Sequence, residues 1–265
     1  MKREDRKLED FTKKQYNRFG KEYQQSREGK KPERAFNEYI EVPNMFAAVK
    51  KIKGKKLLDI GCGAGVHLKE YIRRGAICSG MDISKTMIDL ARKNCPMADL
   101  KVGSMTSMPY KDSSFDIITG SLCLSYFRDI SPVFKEVSRV LRKGGLFYFS
   151  ESAIIARRRS RYENEHFSIR GIGQVTDKIT GKEIFVGNPE EKKVVWEMVP
   201  GMKLTTYERS FREQLRAIVD NNLELIDIID CYPVKEFKKQ NQEDYEFYSK
   251  LPIFSIMICR KKWMK

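Results

Sequence analysis

Five residues of this 265-residue chain are placed to do chemistry together: Asp59, Gly61, Gly63, Gly65 and Asp82. The run Leu57-Leu58-Asp59-Ile60-Gly61-Cys62-Gly63-Ala64-Gly65 is a short apolar stretch that meets an acid and then glycines at alternate positions. Such a stretch reads as a buried strand, a tight turn and the start of a helix. Glycines in the turn accept φ > 0 and let the main chain come close to a ligand. The first N–H groups of the following helix point at whatever occupies the turn. A phosphate-cradling loop would end in Gly-Lys-Ser/Thr, and none is here. The dinucleotide fingerprint would place its third glycine where Val66 stands. Asp82 closes the next apolar run, about 20 residues on, where a carboxylate can accept hydrogen bonds from both hydroxyls of a ribose.

Few residues could move a proton beside this turn. Tyr126 and His166 are the candidate catalytic residues, with Glu151 as a further acid after an apolar run. An imidazole suits proton removal near neutral pH, and Tyr126 suits a pocket wall or an orienting hydroxyl. His67 stands in the first turn after the glycines and reads as a packing residue. The six cysteines are scattered without a Cys-x-x-Cys pair, so reduced thiols and no metal site are expected.

The elements that must hold these residues alternate regularly. Strands are expected near 56–60, 76–81, 100–102, 115–119 and 146–150. Helices are expected over 66–74, from Ser84 as N-cap to 93, and over 130–141 with Gly144-Gly145 as the stop. Repeated strand–helix units argue for a parallel sheet with helices on both faces. Two late strands are expected at 223–230 and 253–259. Between 151 and 209, short strand-like runs at 183–186, 194–199 and 204–207 alternate with turns, Asn188-Pro189 and Pro200-Gly201 among them. A helix is expected over 211–221. Residues 1–34 are very polar, with Phe11, Tyr16, Phe19 and Tyr23 interspersed, and predict a helix or partly ordered arm. Residues 35–50 predict one or two helices with Pro43 as a break.

Over 55–150 the chain resembles the class I S-adenosylmethionine-dependent methyltransferases, and more closely their small type 11 group. Four motifs in order carry the resemblance. They are the acid-and-glycine turn, Asp82, the stretch Met108-Pro109-Tyr110-Lys111-Asp112-Ser113-Ser114-Phe115-Asp116, and Arg139-Val140-Leu141-Arg142-Lys143-Gly144-Gly145. The resemblance implies a Rossmann-like α/β fold. Its seven-stranded, mostly parallel sheet has a last strand that is antiparallel and inserted between strands 5 and 6. It also implies S-adenosyl-L-methionine as cofactor and S-adenosyl-L-homocysteine as product. Asp59 would orient the glycine loop and the methionine ammonium. Gly61, Cys62, Gly63 and Gly65 would let the loop approach the cofactor, Asp82 would hold the ribose, and Ile83 and Met105 would pack on adenine. Ser121 would lie at the methionine end. Relatives often carry an acid where Ser104 stands, so this chain departs there, with Ser104 left to hydrogen-bond the base. They also often carry His or His-Tyr around Ser125-Tyr126.

On these grounds the chain divides into a basic helical arm or lid (1–54), a cofactor-binding core (55–150), a small β-rich cap that chooses the substrate (151–209) and a completion of the sheet (210–265). The net charge is +15, and residues 1–56 hold 17 Lys/Arg against 9 Asp/Glu. A basic surface can draw in nucleic acid or anionic substrates, but a Lys-rich solvated surface is the favoured reading of it. The run Arg157-Arg158-Arg159-Ser160-Arg161 motivates an RNA methyltransferase, although residues 151–215 carry 12 Lys/Arg against 10 Asp/Glu. The favoured expectation is transfer of a methyl group to an O or N nucleophile of a small molecule. A tRNA, a protein side chain, or a non-catalytic role as partner subunit stand as alternatives. No apolar run approaches the ~20 residues of a membrane span, and no signal core follows the charged start. A cytoplasmic monomer or homodimer is expected.

Overall fold

The computed structural model describes residues 3–28, 36–152, 162–163, 167–170, 174–177, 183–185, 193–207 and 209–263. The chain opens with helix α1 (Arg3–Glu28). A π-helical turn over Asn37–Glu41 runs on into α2 (Val42–Ala48). Pro43 lies in the first turn of α2, where its missing N–H costs nothing, so it starts a helix as well as breaking one. The alternating part follows: β1 (Lys56–Ile60), α3 (Val66–Arg73), β2 (Ile77–Asp82), α4 (Lys85–Asn94), β3 (Asp99–Val102), β4 (Phe115–Ser121), α5 (Ser131–Val140) and β5 (Leu141–Ser152). Strands β6 (Tyr162–Glu163), β7 (Phe167–Arg170), β8 (Gln174–Asp177) and β9 (Glu183–Phe185) form an antiparallel sheet. Strands β10 (Lys193–Glu197) and β11 (Lys203–Tyr207) form an antiparallel pair. Helix α6 (Phe211–Val219), β12 (Leu223–Cys231), α7 (Phe237–Gln240), α8 (Gln242–Tyr248) and β13 (Phe254–Lys261) follow.

The main sheet has the order β12-β13-β5-β4-β1-β2-β3. Strand β13 runs antiparallel to both β5 and β12, and the other neighbouring pairs are parallel. The seven-stranded Rossmann-like architecture is therefore present, with the antiparallel strand in the expected place. Leu57 faces one apolar layer, with Leu68, Tyr71, Ile88 and Ile256, while Leu58 faces the other, with Phe134, Phe147 and Phe149. Both faces are covered, which is why β1 reads as a continuous apolar run and not an alternating one.

One boundary differs from expectation. The helix α5 ends at Val140, and the strand runs from Leu141 through Gly144-Gly145. These glycines do not stop the helix. They let β5 make a register shift against β4, with Gly144 at φ +73°. The helix ends earlier because fully buried Leu141 turns extended to pair with Phe115. Ser84 caps α4 as expected, its Oγ accepting from Met87 N–H at 3.2 Å. The capping box at the start of α6, between Ser210 and Glu213, has the Ser-x-x-Glu spacing of a helix start.

Candidate active site

The site lies at the carboxyl ends of β1, β2 and β4, where open α/β sheets bind ligands. The turn after β1 is pinned by main-chain bonds. Cys62 N–H donates to Met81 O at 3.0 Å and Gly65 N–H to Cys62 O at 2.9 Å. Gly61 has φ +66°, and a Cβ there would stand 2.7 Å from Cys123 Cβ, so no side chain fits.

Asp82 ties the turn to the next strand. Its Oδ2 accepts from Gly63 N–H at 3.0 Å and its Oδ1 from Ser84 N–H at 2.8 Å. A third backbone hydrogen bond, from Ile83, also reaches this carboxylate, so three of its roughly four lone-pair sites are used. Burial pushes this carboxyl up to about 6, against its backbone hydrogen bonds. Asp59 is buried and accepts from Thr119 Oγ1 at 2.8 Å, and burial pushes its carboxyl up to about 6 as well.

A cavity of about 430 Å³ opens over this floor. Gly61, Cys62, Gly63, Asp82, Ile83, Met105, Ser121 and Tyr126 line it, so most of the predicted set comes together. Asp59, Gly65 and Ser104 do not line it. Asp59 bonds inward to β4 and can act on the cavity only through its charge and through the turn. The Gly65 position packs against Cys95 Sγ and Ala91, which leaves its role to the start of α3. Ser104 donates to Glu9 and also bonds Thr106 Oγ1 at 2.8 Å. His166 and the Arg157–Arg161 run lie outside the described residues.

The proton acceptors expected beside the turn are differently placed. Glu151 also lines the cavity, and it is buried in an ion pair with Arg209 at 2.6 Å, with Gln214 Nε2 donating to it at 3.1 Å. Tyr126 OH lies 2.7 Å from Tyr16 OH. Burial first, and then Tyr126, hold the Tyr16 hydroxyl well above the usual phenol range. Tyr16 therefore stays protonated and orients its partner.

Two contributions escape a reading of the motifs. The roof of the cavity is α1, whose residues 5, 8, 9, 12, 16, 23 and 27 line it at helical spacing. The helix packs against α4, β11 and the turn Leu124–Tyr126. The second is Glu41, which is 1% exposed and accepts from Ser150 Oγ at 2.6 Å. Ser150 Oγ in turn accepts from Leu122 N–H at 3.0 Å. His67 Nε2 lies 3.4 Å from Glu41 Oε2. Burial works against both charges, but their mutual attraction prevails: the Glu41 carboxyl is held below its usual range and the His67 imidazole above its own. His67 is thus more than a packing residue. An acid inside the apolar run Tyr39-Ile40-Glu41-Val42 was the available signal. Among the described residues, no group of three or more His, Cys, Asp or Glu could hold a metal ion, and no helix is long and apolar enough to cross a membrane.

Residues 58–149 match the family model described as a methyltransferase domain. An uncharacterized protein of Haemophilus influenzae is 33% identical over 128 residues, 44% of this chain and 50% of its own. A malonyl-[acyl-carrier protein] O-methyltransferase of Serratia marcescens is 32% identical over 100 residues, 38% of this chain and 39% of its own. The chain therefore spans about half, or less, of the length of these curated relatives. In fold, the crystal structure of an S-adenosylmethionine dependent methyltransferase from Mesorhizobium loti superposes with a TM-score of 0.63 at 21% identity, covering 82% of this chain and 96% of that one.

Proposed function

We propose that the chain, which matches the methyltransferase domain model over residues 58–149, is a class I S-adenosylmethionine-dependent methyltransferase of the type 11 group and moves a methyl group from S-adenosylmethionine to an O or N nucleophile of a small molecule. The observation that carries the reading is the roofed cavity over Gly61, Gly63 and Asp82. Its residues fit the cofactor. Asp82 lines the cavity as an acceptor carboxylate for a ribose hydroxyl, and the Gly61 cradle is one that a Cβ would fill. Thr12 Oγ1, on the roof, is buried without a hydrogen-bond partner among the described residues.

When bound, the sulfonium of S-adenosylmethionine supplies an already electrophilic methyl group. The chain's part is then to bind, orient and exclude water. Asp82 holds the sugar, Ile83 and Met105 flank the base, and the main chain from Gly61 to Gly63 approaches the rest. Asp59 acts from behind through the turn. The Tyr16–Tyr126 hydroxyl pair, at 2.7 Å, is the orienting group for the acceptor. In this reading residues 1–54 are the lid, 151–209 the acceptor-choosing cap and 210–265 the completion of the core.

The aromatic lining, with Tyr16, Tyr23, Phe127, Tyr207 and Phe254 around a roofed space, favours a small acceptor over an RNA strand. The test is calorimetry with S-adenosylmethionine and S-adenosylhomocysteine, followed by labelled-methyl transfer to fractionated small molecules, RNA and protein. Binding of both ligands with label in the small-molecule fraction is expected. Label only in RNA would overturn the acceptor class, and no binding of either ligand would overturn the methyltransferase reading.

A further inference from the structure

Helix α1 brings a carboxylate into the cavity at a point the core leaves without one. Strand β3 is the edge strand beyond β2, and β2 ends at Asp82. Ile83 at the end of β2, and Gly103 and Met105 just past β3, line the cavity beside Asp82, where the base of a nucleoside held by its sugar at Asp82 would reach. At that end Ser104 is turned away from the cavity. Its Oγ–H donates to Glu9 Oε1, while it accepts from Thr106 N–H at 3.1 Å. Glu9 itself lines the cavity, and Thr12 lies one turn further along the same helical face with its unpartnered hydroxyl. Burial, opposed by the Ser104 hydrogen bond, raises the Glu9 carboxyl above its usual range.

We propose that Glu9, carried by α1 and aimed by Ser104, accepts a hydrogen bond from the exocyclic amino group of adenine, which makes the lid helix the element that selects the base. The inference rests on the S-adenosylmethionine reading. An exocyclic amine meets the carboxylate as a donor. A 6-oxo purine meets it acceptor to acceptor, leaving two polar groups unpaired. The Thr12 hydroxyl is one helical turn away, in reach of the same ring.

The test is calorimetry on the full chain with S-adenosylhomocysteine and with its 6-oxo analogue, S-inosylhomocysteine. The wild type is expected to prefer the adenosyl compound by at least about tenfold. Glu9→Gln places an amide that can donate to the 6-oxo group, so the preference should shrink by about tenfold or reverse. Ser104→Ala, which leaves the carboxylate in place but unaimed, should reduce the preference by a few-fold and serves as the second variant if Glu9→Gln does not fold. A preference unchanged in the folded variants, or absent in the wild type, overturns the proposal alone. If the wild type binds neither compound, the cofactor reading fails and the proposal falls with it.

Discussion

The floor and the roof of the cavity are built by different means. The floor is main chain: the turn from Gly61 to Gly65 is fixed by backbone bonds to Met81 and Cys62, by the Asp82 carboxylate and by a space that admits no Cβ. The roof is side chain. Helix α1 is attached by Tyr16 to Tyr126, by Asn17 to Ser84 and to Thr86 Oγ1 at 2.8 Å each, by Gln15 to Lys203 N–H at 3.0 Å, and by Glu9 to Ser104. Each such bond contributes only about 1 kcal/mol net. The roof is also held by apolar packing, since Tyr23, with Tyr16 and Phe19 beside it, joins Ala64, Met87, Met202 and Leu204 in one cluster. The contrast is between a cradle fixed through the main chain and a cover fixed chiefly through side chains.

The sharpest way to break the contrast is Gly61→Ala. A Cβ at φ +66° that meets Cys123 Cβ at 2.7 Å must displace the turn. A loss of about 2–3 kcal/mol of stability, with cofactor binding abolished, is expected from thermal unfolding and calorimetry. Next comes Asp82→Asn, which puts an amide donor against the N–H of Gly63 or Ser84 and withdraws an acceptor from the sugar. An affinity loss of about a hundredfold is expected by calorimetry. A wild-type affinity in this variant would remove the floor from the argument.

A smaller effect is linked to pH. The folded-state carboxyls of Asp59 and Asp82 are raised from 3.8 to about 6 by burial. The stability they contribute is fully present below 3.8 and is lost as pH rises through about 6. A ligand that donates to Asp82 favours its charged form, so cofactor affinity should rise as pH passes up through about 6, with release of a proton on binding below it. Titration in two buffers of different ionisation enthalpy reads this directly, and a pH-independent affinity would contradict it. The smallest expected effect belongs to the roof. Tyr16→Phe removes one hydrogen bond, so unfolding should shift by about 1 kcal/mol or less. The dissociation rate of the cofactor should rise several-fold in stopped flow. A drop in stability as large as that of Gly61→Ala would mean that the roof is part of the core.

The same division explains what could be read from the residues in order. The floor is local. Asp59, the glycines and Asp82 sit within one β–α–β unit, where chain spacing fixes their relations, so the strand, turn and helix were all legible. The lateral position of β13 was legible through the family resemblance. The roof was not, because the contacts of Tyr16, Glu9 and Glu41 cross about 100 residues of chain. The polar, helical α1 could be anticipated, but not the face it turns to the cavity. Glu151 looked available because nothing in its neighbourhood along the chain announces Arg209. Gly144-Gly145 looked like a helix stop because a register shift between strands leaves the same local mark.

The place of β13 has a consequence for how the molecule is made. Strands β5 and β12 are not paired with each other, since β13 lies between them. During synthesis on the ribosome, about 100 residues leave the exit tunnel between Ser152 and Phe254 before that gap can close. Until then the outer side of β5 presents an unpaired ladder to any extended segment nearby, a hazard of open edges. The nascent polypeptide can organise its nucleotide-facing half early, but the sheet is knitted together late.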